Sequence, residues 1–232
     1  MKKTAGRLRP FGRASRYFSE YQEIFPKERN PLKRFQKILA LILALAALLS
    51  FTSCEMDISS LFQYREPVQV EEPDYETQKV SYKGFTVELP ASWGRIDAAD
   101  GSDILVYTPS EGGAGGSTFN LSAEPTDLGK YTLVKFSDAM RKSLPQQVAE
   151  IFPDATLSEF KYSDFRASYG DVFVAEYTVT QPDGSATTYT QFYPLVDHYL
   201  VSITAEDKGD GTSPAVADVA RYAASTLQVP QS

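Results

Sequence analysis

Alternation between apolar and polar residues begins near residue 80. Every second position is apolar at the start of this region, at Phe85, Val87 and Leu89. Pro90 and Trp93 then close the segment, and the pattern predicts a strand with one buried face. Two more short strands are predicted at residues 104–108 and 117–124. The glycine-rich link between them is interpreted as a hairpin loop, since glycine tolerates the backbone angles of tight turns.

The spacing of apolar residues then lengthens to that of a helix. Apolar side chains recur every three or four positions at Leu133, Phe136, Met140 and Leu144, which predicts an amphipathic helix. Pro145 follows directly; because it lacks an amide proton and clashes with the preceding turn, we expect either two helical pieces or one bent helix.

A second block of alternation follows and contains four predicted strands. They cover residues 157–168, 171–181, 187–195 and 198–205. Turn-forming residues separate them, so they predict an antiparallel meander with one buried face. The chain closes with a helix for which Ser213 is the predicted N-cap and Pro214 the first helical residue. The order of strands, helix, strands and helix predicts the α+β class, an antiparallel sheet flanked by helices.

The opening of the first strand resembles the start of PsbP-like domains. Residues 84–93, GFTVELPASW, carry the Gly-Phe pair, the strand, the Pro and the Trp of that start. The later hairpins and the closing helix follow the same plan over residues 79–229, and DcrB-type bacterial lipoproteins share this fold. The resemblance implies an α/β/α sandwich around an antiparallel sheet. It also implies an assembly or interaction role and transfers no catalytic residues.

An uncharged apolar run lies before this domain, at residues 38–49. Basic residues precede it and the sequence SFTSC follows, ending at Cys54; this order is typical of an export signal. The segment resembles the lipobox of bacterial prolipoproteins. The resemblance implies cleavage before Cys54 and attachment of a diacylglyceryl lipid, with fatty acids such as palmitate, to its thiol. An uncleaved signal anchor, in which Cys54 is incidental, is the alternative.

Charge divides the chain into three segments. Residues 1–53 hold 11 of the 23 Lys and Arg residues but only 3 of the 30 Asp and Glu residues, and they form a basic extension with the signal peptide. Residues 54–78 are acidic and interrupted by prolines, which predicts a flexible tether. Residues 79–232 form the predicted globular domain. The part from Cys54 onward has 12 basic and 27 acidic residues, so nucleic-acid binding is not expected.

Few residues belong to the types that carry catalysis or bind metals. Cys54 is the only cysteine and His198 the only histidine, which excludes cysteine-rich and histidine-rich metal sites. His198 lies at a predicted turn, where an exposed histidine is favoured over half of an acid–base pair. Trp93 is expected to be a buried core anchor rather than a platform for a ligand. We therefore expect no metal and no cofactor.

Two glycine-containing loops could hold a ligand. Residues 111–117 lack the Lys of a phosphate-binding loop, so a mobile hairpin tip is favoured. Residues 206–212, EDKGDGT, are acidic but lack the alternating oxygen ligands and the final Glu of a calcium loop. We expect this second loop to join the last strand to the last helix, with a weak cation site as the alternative.

Tyrosines are concentrated in the second block of strands. Most are expected to be half-buried sheet residues, since aromatic residues favour strands. A sheet face with several tyrosines also suits contact with a protein or peptide. The candidate contact face comprises Tyr177, Tyr189, Tyr193 and Tyr199.

These patterns favour a binding or assembly module over an enzyme. The expected protein is held on the extracytoplasmic side of the cell membrane by a lipid on Cys54 and binds a protein of the cell envelope. Two alternatives stay open, an envelope hydrolase with a carboxylate-based site and a purely structural envelope component. A deep pocket with converging acids of perturbed pKa would favour the enzyme. A shallow, exposed, aromatic-rich patch would favour the binding module.

Overall fold

The computed structural model describes residues 65–96, 103–109, 116–126 and 131–230. Cys54, the apolar run before it and nearly all of the glycine-rich loop lie outside these ranges, so the lipid site and the signal peptide stay predictions. No helix within the described ranges is long and apolar enough to cross a membrane.

The described residues form ten strands and two helices. The strands are β1 (Thr77–Tyr82), β2 (Phe85–Pro90), β3 (Trp93–Ile96), β4 (Leu105–Pro109), β5 (Thr118–Pro125), β6 (Thr156–Leu157), β7 (Lys161–Ala167), β8 (Gly170–Thr180), β9 (Ala186–Val196) and β10 (Tyr199–Asp207). The helices are α1 (Leu133–Ile151) and α2 (Val216–Thr226). Alternation thus located most of the strands, with three differences. β1 was not predicted as a strand of its own. Trp93 begins β3 instead of closing the first strand, and the strand predicted at residues 157–168 is divided into β6 and β7.

Eight of these strands form one antiparallel sheet. Its order is β3-β4-β5-β10-β9-β8-β6, and β7 also pairs with β8. β1 and β2 form a separate hairpin. Two backbone hydrogen bonds between Thr86 and Gln228, of 3.0 and 2.9 Å, tie β2 to the segment after α2. The hairpin and α2 therefore belong to the same layer.

A helix packs on each face of the sheet. The apolar face of α2, with Val219, Ala220 and Ala223, packs with the hairpin against the residues of β5 and β10 that point to that side. The apolar stripe of α1 packs on the other face, against β8 and β9. Neighbouring strand residues such as Phe173 and Val174 belong to opposite sides. The predicted α+β class, an antiparallel sheet flanked by helices, is confirmed.

Both helices differ from the prediction at one point. α1 runs without a break through Pro145, so of the two expected outcomes, two helical pieces or one bent helix, the first is wrong. Buried apolar residues on both sides of the proline hold the helix together against the lost hydrogen bond. α2 begins at Val216 with Ala215 as its N-cap, and not at Pro214. Asp210 accepts the N–H of Thr212, so the segment before α2 is a side-chain-bonded loop and Ser213 does not cap the helix.

Candidate functional site

The four tyrosines predicted as a contact face do not share one face. Tyr177, Tyr189 and Tyr193 lie under α1, and Tyr177 is only 3% exposed. The rings of Tyr177 and Tyr189 stack with their centroids 5.3 Å apart. Tyr199 lies on the opposite face and meets Phe85 edge to face, at 5.1 Å between centroids. The predicted contact face is therefore wrong, because α1 covers three of its tyrosines.

Burial keeps two of these tyrosines in the neutral form. Desolvation raises the pKa of Tyr177 and that of Tyr193 well above the usual value of 10.0. The hydroxyl of Tyr193 donates to Oε1 of Gln191 at 2.9 Å. These side chains therefore serve the core beneath α1.

The acidic loop between β10 and α2 is held by two carboxylates, those of Asp207 and Asp210. Oδ1 of Asp207 accepts the backbone N–H of Gly209 at 2.8 Å. Oδ2 of Asp210 accepts the backbone N–H of Ser117 at 2.7 Å, and Oδ1 accepts the Ser117 hydroxyl at 3.0 Å. Hydrogen bonds from Thr212 and Ser117 lower the pKa of Asp210 from 3.8 to about 2. Within the described residues, no three His, Cys, Asp or Glu side chains gather around a cation position. The loop joins the last strand to the last helix, as predicted.

His198 and Trp93 lie where the sequence predicted them. His198 is exposed in the turn between β9 and β10, with φ 60°, and its carbonyl accepts the N–H of Thr126 at 2.9 Å. Trp93 is 4% exposed and belongs to the core on the α2 side. The indole is thus a core anchor and is unavailable for stacking on a ligand.

A cluster around Lys83 was not apparent from the sequence. Nζ of Lys83 donates to the carbonyl of Ala123 at 2.8 Å and to Oε1 of Glu124 at 3.2 Å, and it pairs with Asp103. The hydroxyl of Tyr82 donates to Oδ1 of the same aspartate at 2.7 Å. Burial alone lowers the pKa of Lys83, but these hydrogen bonds outweigh it and raise that pKa. The cluster fastens the β1–β2 hairpin to the end of β5.

On the face of the sheet against which α1 packs, strands β5 and β10 carry buried polar side chains. Residues of β5 and β10 that point to the α2 side are apolar, whereas the alternate residues are polar, apart from Leu200 near the start of β10. Register places Asn120 opposite Thr204, Ser122 opposite Ser202, and Thr204 opposite Gln191. We call the following set the polar strip, and each member is more than nine-tenths buried: Thr118, Asn120, Ser122, Gln191, Ser202 and Thr204. A polar sheet face is normally solvated, so this burial requires an explanation.

α1 buries the part of this face that β8 and β9 form. One of the buried residues of α1, Gln147, is polar. Gln147 is 7% exposed, and neither polar atom of its side chain has a hydrogen-bond partner. Arg141, on the same helix, lies over the ring of Tyr162 in β7, at 4.6 Å from the centroid. Because successive helical residues are about 100° apart, Gln147 lies about 120° from Arg141 around the axis. It lies only about 20° from Phe136 and from Met140, so Gln147 is within the buried stripe of α1.

Several polar atoms of this region are buried without a partner. Nδ2 of Asn120 donates to Oγ1 of Thr118 at 3.3 Å, but Oδ1 of Asn120 accepts nothing. Oγ of Ser122 is likewise unpartnered, as are both polar atoms of Gln147. A buried polar group left unsatisfied costs about 1–3 kcal/mol. The polar strip therefore retains hydrogen-bonding capacity that the fold does not use.

An open cleft of about 380 Å³ lies on the opposite face, between α2 and strands β7, β8 and β9. Val174 and Phe192 lie beneath it and are 5% and 1% exposed. Asp218 and Arg221 of α2 line its helical wall, and Arg221 also lies over the ring of Phe165 at 5.3 Å. In the described ranges, neither Asp218 nor Arg221 forms an ion pair. The cleft thus has a narrow apolar floor beside two charges of opposite sign that form no ion pair among the described residues.

Residues 65–76 precede β1 and are bound to the domain; we call them the docked segment. Arg65 forms an ion pair with Asp164 of β7. The N–H of Val68 donates to the carbonyl of Arg166, in the same strand, at 2.8 Å. This part of the predicted flexible tether is therefore attached to the edge of the sheet, because β7 offers it a backbone acceptor and a carboxylate.

The docked segment continues across α2 toward the cleft. Tyr75 packs against the core on the α2 side. Burial, with the nearby Tyr222 and Asp218, raises the pKa of Tyr75 to about 12. Tyr75 is thus close enough to feel the charge of Asp218, which lines the cleft.

Comparisons with known proteins give similarities of structure but not of sequence. No protein-family model matches this chain, and no curated protein matches it. The solution structure of cyanobacterial PsbP (CyanoP) from Synechocystis sp. PCC 6803 is similar over 78% of this chain and 99% of its own, with 14% identity and a TM-score of 0.47.

Two further solved structures have lower TM-scores. LpqN, involved in cell envelope biogenesis of Mycobacterium tuberculosis, matches 68% of this chain and 94% of its own, with 10% identity and a TM-score of 0.43. A protein of unknown function from Pseudomonas aeruginosa matches 67% of this chain and 98% of its own, with 18% identity and a TM-score of 0.39. None of these similarities assigns the chain to a family or carries an argument about its function.

Proposed function

We propose that this protein is a lipid-anchored, non-enzymatic binding module on the extracytoplasmic side of the cell membrane. The apolar run with basic residues before it and Cys54 after it supports the anchor. A diacylglyceryl group suits such a role, because two acyl chains hold a domain on a bilayer stably whereas one chain binds only marginally.

The open cleft is the observation that carries the binding role. Its narrow apolar floor at Val174 and Phe192 lies beside Asp218 and Arg221, which form no ion pair among the described residues. The occupant that fits this surface is an extended segment of a partner protein, with an apolar side chain between a basic and an acidic one. Opposite charges placed in this way select the partner and its orientation more than they add affinity.

The docked segment limits how far the domain can stand from a membrane anchor. Ten residues separate Cys54 from Arg65, and at about 3.3–3.6 Å per residue they span at most about 36 Å. A free tether extending to residue 78 would span about 80 Å. We therefore propose that the partner lies in the same membrane or close to it.

The carboxylates with lowered pKa support a role without acid–base catalysis. Hydrogen bonds from Thr212 and Ser117 lower the pKa of Asp210, and those from Lys83 and Tyr82 lower the pKa of Asp103. A catalytic carboxyl group works best with a pKa near the operating pH. These two carboxylates are better suited to anchoring loops of the domain.

Lipid labelling tests the anchor. Cells expressing the full chain are grown with an alkyne fatty acid, and a parallel culture receives globomycin. The expected result is labelled mature protein, a longer precursor with globomycin, and no label on Cys54→Ser. Unchanged mass and unchanged labelling in Cys54→Ser would contradict the lipid anchor.

Photo-crosslinking in living cells tests the cleft. A benzophenone amino acid replaces Ser163, a cleft residue, in the full-length lipoprotein, and the matched control replaces Val134, an exposed residue of α1. One discrete adduct is expected from position 163 and none from position 134. The adduct should disappear when Arg221→Glu is added, because the partner's acidic side chain is then repelled. Equal adducts from both positions, or an adduct indifferent to Arg221→Glu, would contradict the proposed surface.

A further inference from the structure

One edge of β7 faces away from the sheet. The other edge pairs with β8, and Ala167 lies opposite Gly170 across a two-residue turn. The residue pair that closes such a turn is hydrogen-bonded, and hydrogen-bonded pairs alternate along a hairpin with pairs whose backbone groups point outward. Tyr162, Asp164 and Arg166 therefore direct their N–H and C=O groups away from β8.

An extended part of the chain already uses one position of this outer edge. The carbonyl of Arg166 accepts the N–H of Val68 at 2.8 Å, and Arg65 pairs with the side chain of Asp164. Among the described residues, no other backbone hydrogen bond reaches the outer edge of β7. The outward groups of Tyr162 and Asp164 thus have no backbone partner within those ranges. Edge groups of this kind are the template for the addition of a strand.

The cleft lies directly beside this edge. Lys161, Tyr162 and Ser163 of β7 line it together with Asp218 and Arg221 of α2. A strand added to β7 would lie about 4.8 Å beyond it. Every second side chain of that strand would point to the face of the sheet that carries the cleft. The outer edge of β7 and the cleft therefore form one continuous surface.

We propose that the partner segment binds as an added strand on the outer edge of β7, with alternate side chains in the cleft. This inference rests on the proposed function, which requires an apolar side chain between a basic and an acidic one. Side chains on one face of a strand are two residues apart, so the recognised sequence is basic-x-apolar-x-acidic, in one of the two chain directions. Main-chain hydrogen bonds then supply affinity, and the alternate side chains supply specificity.

The side chains of the cleft fit this spacing. Ser163 is exposed and small, so an apolar side chain of the partner has room beside it. The charged side chains of the partner lie toward Asp218 and Arg221. A second copy of β7 lacks the required pattern, because its residues on this face are Lys161, Ser163 and Phe165 and none of them is acidic. The occupant is therefore a segment of a different protein.

Peptides of identical composition test the binding mode. TKTVTET and TETVTKT carry the alternating pattern in the two chain directions, and TTKVETT has the three recognised residues adjacent. Fluorescence polarisation measures their binding to the full-length lipoprotein in detergent. One alternating peptide is expected to bind about tenfold more tightly than the adjacent one, and Arg221→Glu should weaken its binding because the acidic side chain is then repelled.

Removal of single backbone N–H groups tests strand addition directly. The better alternating peptide is N-methylated either at its valine or at the next residue. Only one of the two N–H groups faces β7, so one methylation should weaken binding about tenfold and the other should not, which is the loss expected for one hydrogen bond.

A proline in β7 makes the same test from the side of the protein. Asp164→Pro removes an outward N–H at an edge position, where proline is tolerated. Asp164→Asn is the matched comparison, because it also loses the ion pair with Arg65 but keeps the N–H. Peptide binding should be about tenfold weaker in Asp164→Pro than in Asp164→Asn. If Asp164→Pro does not fold, the N-methylated peptides decide.

The outcomes separate this inference from the proposed function. Equal binding of alternating and adjacent peptides, no binding of any of the three, or equal effects of the two N-methylations would overturn strand addition. The crosslink from position 163 would still identify the cleft as the binding surface, and only its absence would overturn the proposed function. A concentration-dependent dimer that Asp164→Pro abolishes would show that a second copy fills the edge. Peptide binding that requires Val68→Pro would show that the docked segment closes the edge, and either result would overturn the partner segment as its occupant.

Discussion

Two buried serines near β5 allow a matched test of how the polar strip is satisfied. Ser122 is 2% exposed and Ser117 is 0% exposed. Oγ of Ser122 has no hydrogen-bond partner. Oγ of Ser117 donates to Asp210 at 3.0 Å and accepts the N–H of Lys208 at 3.0 Å. The same substitution, serine to alanine, therefore removes an unsatisfied hydroxyl in one case and a well-bonded hydroxyl in the other.

The two variants should change stability in opposite directions. A buried hydroxyl without a partner costs about 1–3 kcal/mol, so Ser122→Ala should raise the free energy of unfolding by about 1 kcal/mol. For a chain of this size that corresponds to a rise of about 2–4 °C in Tm. Ser117→Ala loses a hydrogen bond to a carboxylate and strips Lys208 N–H of an acceptor, which should lower the free energy of unfolding by about 2 kcal/mol.

Urea unfolding of the full-length chain in detergent provides the measurement. Trp93 is the single tryptophan and is buried, so its fluorescence reports the loss of the core. Equal m-values in the three proteins would show that the substitutions changed stability and not the surface exposed on unfolding.

A loss of 1 kcal/mol or more in Ser122→Ala would refute the reasoning. That result would mean that the Ser122 hydroxyl is bonded in solution, and that the strip is already satisfied. Near-equal losses in Ser122→Ala and Ser117→Ala would have the same meaning, because the hydrogen bonds of Ser117 would then no longer distinguish the two sites.

Three further predictions follow from other parts of the fold. Trp93→Ala should cost about 3–5 kcal/mol of stability, measured by circular dichroism, since the indole is buried. The pKa of Asp210 is about 2 instead of 3.8, so its stabilising effect is present above about pH 4 and is lost as the pH falls through 2. Asp210→Asn should therefore flatten acid unfolding over that range. Val68→Pro removes the N–H that binds β7, and limited proteolysis should then cut residues 65–76 faster with little change in Tm.

Local pattern was sufficient to predict the elements of this fold. Phe119, Leu121 and Ala123 alternate, and they lie together in the core on the α2 side. The spacing of Phe136 and Met140 predicted a helix whose stripe is buried. These predictions succeed because period 2 and period 3.6 are properties of neighbouring residues and need no knowledge of distant ones.

The candidate sites could not be predicted in the same way. Alternation places Asn120 and Ser122 on the face opposite the core, where a polar residue is expected to meet solvent. Their burial depends on contacts between elements that are distant in sequence. The same holds for Tyr177 and Tyr189, because nothing near them in sequence indicates that α1 lies on top. The attachment of Val68 to β7 joins residues almost a hundred positions apart.

The width of the sheet explains why a polar strip exists beside an apolar layer. From β3 to β8 the sheet has six strands, which at about 4.8 Å between neighbours makes it about 24 Å wide. A helix is about 10 Å across, so α1, which packs on β8, β9 and Leu200 of β10, cannot cover the full width of the sheet. An apolar surface on the remaining strands would invite a second helix or aggregation. Hydroxyl and amide groups avoid both outcomes, yet once buried they need polar partners. The polar strip is therefore a place where this fold gives up stability, because Asn120 Oδ1 and Ser122 Oγ are buried there without a hydrogen-bond partner.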